Sequence, residues 1–168
     1  EGYYTSGFQA EEKYGFDMSK EALKHASKND SSTQYAVASI FRLPLEDASC
    51  DTAVTCFAPF AKDEIERVLT QGGRFFFVSP GPKHLFELKQ LIYDTPYENE
   101  MKDLETTLVK EEEYFISNTF HCEKENLISL FKMTPYYHRT RNEDIDKINH
   151  QDGMDITAEF LIRVYQKR

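Results

Sequence analysis

Residues 13–26 read KYGFDMSKEALKHA, and their order decides what kind of fold the chain adopts. Residues 13–17 suit a short strand that ends on an acid, Asp17. Ser19 is placed to cap a helix, because a serine hydroxyl can accept from an amide two or three residues on. Ala22, Leu23 and Ala26 then follow at helical spacing. A strand, an acid, a cap and a helix make one unit of an alternating α/β chain.

Outward from this unit the alternation continues. Residues 33–39 (TQYAVAS) predict a second strand, and a polar RLPLEDAS loop leads to a third at 51–58 (DTAVTCFA). Residues 62–69 predict a helix whose buried stripe is Ile65, Val68 and Leu69. Gly72-Gly73 reads as the turn that ends it. Residues 74–79 (RFFFVS) are almost wholly apolar, as in a strand covered on both faces. After a PGP loop, Leu85, Leu88, Leu91 and Ile92 mark a helix on which Glu87 and Lys89 are expected to face solvent.

Residues 94–113 are acidic and weakly patterned, so a variable connection is expected there. A strand at 113–122 and a helix at 124–133, carrying Leu127, Ile128, Leu130 and Phe131, come next. At 155–166, Ile156, Ala158, Phe160, Ile162 and Val164 alternate strictly, which predicts a strand with that face buried. There is no internal repeat. The whole, 1–168, reads as one domain built on a parallel sheet with crossover helices. It opens on EGYYTSGF, a turn and a short helix with no strand before them. A doubly wound sheet starts with the strand feeding its glycine-rich turn, so the domain is expected to be N-terminally incomplete.

Composition sets the outer limits. The 168 residues, 40% hydrophobic and 14% aromatic, suffice for a single packed core. Three cysteines without metal-type spacing point to a reducing compartment, and cytoplasm is the expectation. No apolar run is long enough for a membrane helix, and no signal-peptide pattern opens the chain. A net charge of −9 argues against nucleic acid as a partner unless a local basic face exists.

Several residues carry chemistry. A carboxylate at the end of a second strand, Asp17, can accept from both hydroxyls of an adenosine ribose. Met18 beside it can pack on the adenine face. The alternative for Asp17 is a capping or loop acid. Ser39 ends the next strand, either at an adenine edge or as a plain loop serine. Phe57 lies at the carboxyl edge of the third strand, where open α/β sheets bind ligands. It lines a pocket or packs in the core, and the FAPF stretch offers no amide or carboxylate. His84 lies on the ligand side after the PGP loop, or is a surface histidine, and Lys83 is a candidate phosphate contact. Of Tyr3 and Tyr4, one is expected in the core and one against the pocket. In MTPYYHRTR (133–141), Tyr136 and Arg139 could stack a base and hold its phosphates. The other reading is a helix stop at Pro135 followed by core tyrosines.

The segments EGYYT, GFDMSKEALKHASK, VASIFRLPLEDASCD, FAP, LTQGGRFFFVSPGPKHLFELKQLIY and FKMTPYYHR together resemble the large-subunit ribosomal RNA guanine-N1 methyltransferases. PGPKHLFELK is the most specific of them. The resemblance implies a Rossmann-like class I methyltransferase of α/β class, with a mostly parallel, doubly wound sheet and an antiparallel C-terminal strand. It implies S-adenosyl-L-methionine as cofactor and N1 of a guanine in 23S-type ribosomal RNA as target. EGYYT looks like the tail of the family's cofactor motif, which assigns Glu1 and Gly2 to cofactor binding, and His84 is implied as a further cofactor contact. The family's zinc is held by an N-terminal module with no trace here, so no metal ligand is carried over. Homodimerisation stays open. No residue stands out as the base that takes the guanine N1 proton: a carboxylate, His84 or water would serve. A methyltransferase of the same fold acting on a small molecule, or a cofactor-binding module without activity, are the alternatives. An NAD-linked oxidoreductase fits less well, since no hydride-transfer residues are present.

Overall fold

The computed structural model describes residues 2–168. Strand β1 (Tyr14–Asp17), helix α2 (Lys20–Asn29) and strand β2 (Gln34–Val37) form the expected unit, after a single turn and a half of helix, α1 (Tyr3–Gly7). The Ser19 hydroxyl accepts from the Ala22 amide at 3.2 Å, and α2 buries Leu23 and Ala26. β1 and β2 pair in parallel, Asp17 opposite Val37. Gly2, at φ 79°, begins α1 so close to α2 that a Cβ there would lie 3.0 Å from the Ala26 carbonyl oxygen. A glycine is needed there both for its backbone angle and for its contact. After α2, buried Asp30 accepts from the Ser32 hydroxyl and the Thr33 hydroxyl, each at 2.6 Å, and ties down the turn into β2.

The remaining strands are β3 (Cys50–Cys56), β4 (Leu69–Pro80), β5 (Val109–Glu123) and β6 (Gly153–Gln166). They form a second sheet in the order β3-β4-β6-β5. β3 and β4 are parallel, and β6 inserts antiparallel to both β4 and β5. This is the expected α/β sheet with an antiparallel C-terminal strand. Helix α3 (Lys62–Val68) joins β3 to β4, and α4 (Phe86–Ile92) leads towards β5. Helices α5 (Lys124–Lys132) and α6 (Asn142–Asn149) connect β5 to β6. No hydrogen-bonded rung joins the two sheets, so β1 and β3 each leave one edge open.

Two packed clusters hold the larger sheet. One gathers Leu88, Ile92, Leu127, Phe131, Ile148 and Ile156 from α4, α5, α6 and β6. The other joins Ile65, Leu69, Phe75, Leu108 and Tyr165. Each fully buried large apolar side chain here contributes about 1.5–3 kcal/mol relative to exposure.

Four expectations need correction. Gly72 and Gly73 do not form a helix-ending turn. α3 stops because Leu69 is already extended, and the glycines fall inside β4, where its register against β3 slips between Cys50 and Thr52. Within the 74–79 strand only Phe75 is buried, and Phe76, Phe77, Val78 and Ser79 are half-buried, so neither face is fully covered. In β6 both faces are covered rather than one. On the face the alternation picks out, Ile156 and Val164 are buried and Phe160 and Ile162 half-buried, while Glu159, Leu161, Arg163 and Tyr165 on the opposite face are all buried as well. The cause is α3 together with the 94–108 connection: Arg163 donates to the Lys102 carbonyl at 2.6 Å and to Glu113 at 3.0 Å, under the same cover as Tyr165. Finally, α6 has no counterpart in the sequence reading, because its eight residues hold only Ile145 and Ile148 as apolar anchors.

Candidate functional site

The carboxyl ends of β1 to β4 point the same way within each parallel pair, and most of the candidate residues lie on them. At the end of β1, one Asp17 oxygen accepts from the Ser19 amide at 2.7 Å. The other has no partner among the described residues. Asp17 therefore shapes the turn and still offers a free acceptor, so its two sequence readings coexist. Met18 beside it is 71% exposed. Beyond β2, the Ser39 hydroxyl accepts from the Phe41 amide at 3.3 Å in a local turn closed by Arg42. Glu1 lies outside the described residues. Tyr3 and Tyr4 are both exposed, so neither is in the core, which corrects that expectation. The pKa of the Tyr4 phenol is raised by partial burial and then by the Cys56 thiol.

At the ends of β3 and β4 three rings meet. Phe57 and His84 lie 5.4 Å apart, and His84 and Phe160 5.3 Å, by ring centroids. Phe57 also meets Phe160 edge-on at 5.7 Å. Phe57 takes φ 53°, a conformation that costs a bulky residue about 1–2 kcal/mol. It is nonetheless 47% exposed. Exposure together with backbone strain makes Phe57 a candidate functional position. His84 is half-buried, and its Nδ1 accepts from the Glu159 amide at 3.2 Å. Burial pushes its pKa down, against a smaller upward pull from Glu159.

The loop carrying His84 is pinned on several sides. The Lys83 amide donates to the Glu159 carboxylate at 2.6 Å, and the Leu85 amide to the Thr157 carbonyl at 2.8 Å. Gly81 is required by close approach, since a Cβ there would lie 2.6 Å from that of Glu159. Glu87 and Lys89 do not face solvent as expected. Glu87 accepts from the Thr157 amide and hydroxyl. Lys89 is buried, donating to the Tyr97 carbonyl at 3.0 Å and to Asn99 at 2.7 Å, and Asn99 in turn donates to the Gly81 carbonyl.

The other sequence candidates lie apart. Lys83 is exposed and its ammonium has no ion pair among the described residues. Tyr136 packs on Phe131 and Tyr93, and burial pushes its phenol up to about 12, in keeping with the core reading. Arg139 ends an exposed 3-10 turn, Tyr137–Arg139. No ring contact or hydrogen bond joins Tyr136 or Arg139 to Phe57 or His84. Sequence reasoning missed Phe160 and Glu159 altogether. Both looked like ordinary strand residues, and only the antiparallel insertion of β6 beside β4 brings them to the site. A groove of about 400 Å³ between Phe77, Met101, Leu104 and Arg163 holds none of the candidates. Among the described residues no three His, Cys, Asp or Glu side chains are grouped to hold a metal ion, and no helix is long and apolar enough to cross a membrane.

A family model described as "Methyltransferase domain" matches residues 1–77. Among solved structures, the YcgJ protein of Bacillus subtilis superposes with a TM-score of 0.56 at 16% identity, over 94% of this chain and 82% of that one. A structure from Bacillus halodurans C-125, titled as a methyltransferase, gives a TM-score of 0.52 at 14% identity over 92% and 82%. The fold of this chain is that of the class I methyltransferases. Among curated proteins, a Bacillus subtilis (strain 168) protein is 28% identical over 91% of this chain and 56% of its own length. That relative carries the provisional name 23S rRNA (guanine-N(1)-)-methyltransferase YxjB. A Micromonospora griseorubida protein with the same provisional enzyme name is 40% identical over 43% of this chain and 25% of its own. The chain thus spans about half or less of these two relatives. In this class the cofactor is S-adenosylmethionine, and the residues fit it: Asp17 keeps one carboxylate oxygen free at a strand end, with Met18 exposed beside it.

Proposed function

We propose that this chain is the catalytic domain of an S-adenosylmethionine-dependent methyltransferase acting on N1 of a guanine in large-subunit ribosomal RNA. The observation that carries the reading is the Phe57–His84–Phe160 cluster at the carboxyl edge of the sheet, in which Phe57 is exposed and held at a strained φ beside two half-buried rings. The kinship with the Bacillus subtilis relative supports the choice of base and RNA. Asp17 would take the ribose hydroxyls of the cofactor, with Met18 and Ser39 beside the adenine and Gly2 on the methionine side.

When bound, the cofactor supplies an activated methyl group. The chain's own part is to hold a guanine edge in line with it, and such alignment contributes roughly 7–11 kcal/mol to a two-reactant step. The target base must first leave its stack, at a cost of a few kcal/mol.

The net charge of −9 favours a second reading, methylation of a small molecule by the same site. One experiment separates them. The intact protein is incubated with ribosomal RNA, a metabolite extract and methyl-labelled cofactor, and the labelled product is mapped. Label at guanine N1 supports the first reading, and label on metabolites alone rejects it. Calorimetry with S-adenosylhomocysteine tests both readings together, and Asp17→Ala is expected to weaken that binding about tenfold, the cost of one or two hydrogen bonds. Unchanged affinity would remove Asp17 from the site.

A further inference from the structure

Lys89 is 2% exposed, and among the described residues no carboxylate lies within ion-pair distance of its ammonium. A buried charge without an opposite charge is costly, so its retention asks for a reason. Its compensation comes from one short stretch of chain. Two of its N–H bonds go to the Tyr97 carbonyl and to Asn99 Oδ1, and its nitrogen lies 4.4 Å from the centroid of the Tyr97 ring. An ammonium can only donate, so the Asn99 atom 2.7 Å away must be the amide oxygen. Nδ2 is then left on the other side, where it donates to the Gly81 carbonyl at 2.8 Å. The Asn99 main-chain amide donates to the Pro82 carbonyl at 2.9 Å. Were the side-chain amide turned over, one contact would set donor against donor and the other acceptor against acceptor.

We propose that Lys89 is the positioning residue of the 81–84 loop: by fixing the orientation of Asn99 it holds the Gly81 and Pro82 carbonyls and so presets the segment that presents His84 to the cofactor. The assignment rests on the methyltransferase reading above, in which His84 meets S-adenosylmethionine. Lys89 acts through Asn99 and touches neither His84 nor the ligand. The loop is gripped from two sides. On the β6 side, the Gly81 amide donates to the Glu159 carbonyl at 2.9 Å, the Lys83 amide to the Glu159 carboxylate, and the Glu159 amide to His84 Nδ1. On the other side stands Asn99, carried by the 94–108 connection and locked by Lys89 from α4. A loop shaped before its ligand arrives spares the ligand the cost of ordering it. Burial chiefly, and the Lys89 charge in smaller part, hold the His84 pKa down, so the lysine is felt at the histidine as well.

The test compares the intact protein with Lys89→Met, which keeps the length of the side chain without charge or donors, Lys89→Gln, which returns a neutral donor, and Asn99→Asp, which keeps an acceptor for Lys89 and loses the donor to Gly81. S-adenosylhomocysteine affinity, read by calorimetry, should fall about tenfold in Lys89→Met and in Asn99→Asp, as for one or two lost hydrogen bonds. Lys89→Gln should recover about threefold of that loss. The double variant Lys89→Met, Asn99→Asp should bind no more weakly than either single one, because both act through one contact. Amide exchange in the free protein gives a reading that needs no ligand. In Asn99→Asp, exchange at Lys83 and His84 should quicken about tenfold, while Phe75 and Val164 in the larger sheet stay within about twofold. Affinities within twofold of wild type in both single variants would overturn the assignment, as would losses that multiply in the double one. Exchange that quickens equally in the loop and the sheet would overturn it too, since Lys89 and Asn99 would then serve general stability. Should Lys89→Met not fold, Lys89→Gln and Asn99→Asp decide by the same two measurements. If the wild type binds no S-adenosylhomocysteine, the methyltransferase reading fails by itself. Exchange still decides Lys89: unchanged rates at Lys83 and His84 reject it, and rates raised there alone support it.

Discussion

The backbone at Phe57 can be weighed separately from its ring by comparing Phe57→Ala with Phe57→Gly. Both variants remove the ring. With Phe57 47% exposed, about half of a side chain of roughly 200 Å² is buried, so its loss costs about 2.5 kcal/mol. The two variants differ in the strain at φ 53°. Alanine retains a cost of about 1–2 kcal/mol there, and glycine retains none. Glycine in turn adds about 0.4–1 kcal/mol of unfolded-state entropy. Phe57→Gly is therefore expected to be the more stable of the two by about 0.5–1 kcal/mol. In an ordinary extended strand the order is reversed by a similar amount. Urea unfolding of the intact protein, followed by circular dichroism, resolves a difference of this size. Methyl transfer should fall equally in both, because both lack the ring. If Phe57→Ala proves as stable as Phe57→Gly, the strain argument fails, and with it the reason for calling Phe57 functional.

Three further outcomes are expected. Leu161→Ala should cost about 2–5 kcal/mol as a full core truncation, and Ile162→Ala, at a half-buried position, less than half of that; a larger loss at Ile162 would contradict the burial described for β6. Phe131→Ala, at the centre of the helical cluster, should cost about 3–5 kcal/mol by thermal or urea melting, and a loss under about 1 kcal/mol would remove it from the core. The Asp30 carboxyl is held well below the usual range by the Ser32 and Thr33 hydroxyls, with Lys13 assisting. A depressed folded-state pKa stabilises fully above the unfolded value near pH 4, and that stabilisation fades as pH falls through the folded one. The stability gap between wild type and Asp30→Asn should therefore shrink from pH 5 towards pH 2, whereas a constant gap across that range would sink the assignment.

Local periodicity made most of the elements legible in the sequence. Ser19 caps α2, Leu127 and Phe131 anchor α5, and 155–166 is a strand, because each signal depends on neighbours within a turn or two. The failures share one cause, which is tertiary context. The alternation in β6 picked out the face of Ile156 and Val164, which is buried, and gave no sign that α3 and the 94–108 connection cover the opposite face too. Lys89 looked like a solvated helix residue until Tyr97 and Asn99 folded over it. At the site, Asp17 and Phe57 could be placed because strand ends are visible in the sequence. The Phe57–His84–Phe160 cluster could not, since its members come from three elements far apart along the chain. Nothing local marks Glu159 as the residue that orients His84.

The break between the β1–β2 pair and the four-stranded sheet bears on how the protein behaves as a machine. Without a shared rung, the smaller pair can open while the larger sheet stays intact, so amide exchange should show two tiers of protection. Asp17 sits on one side of the break and Phe57 on the other. A ligand that touches both would act as a keystone, binding the two tiers into a single cooperative block and raising the protection of the weaker one towards that of the stronger. The protein would then assemble its most rigid form only when loaded.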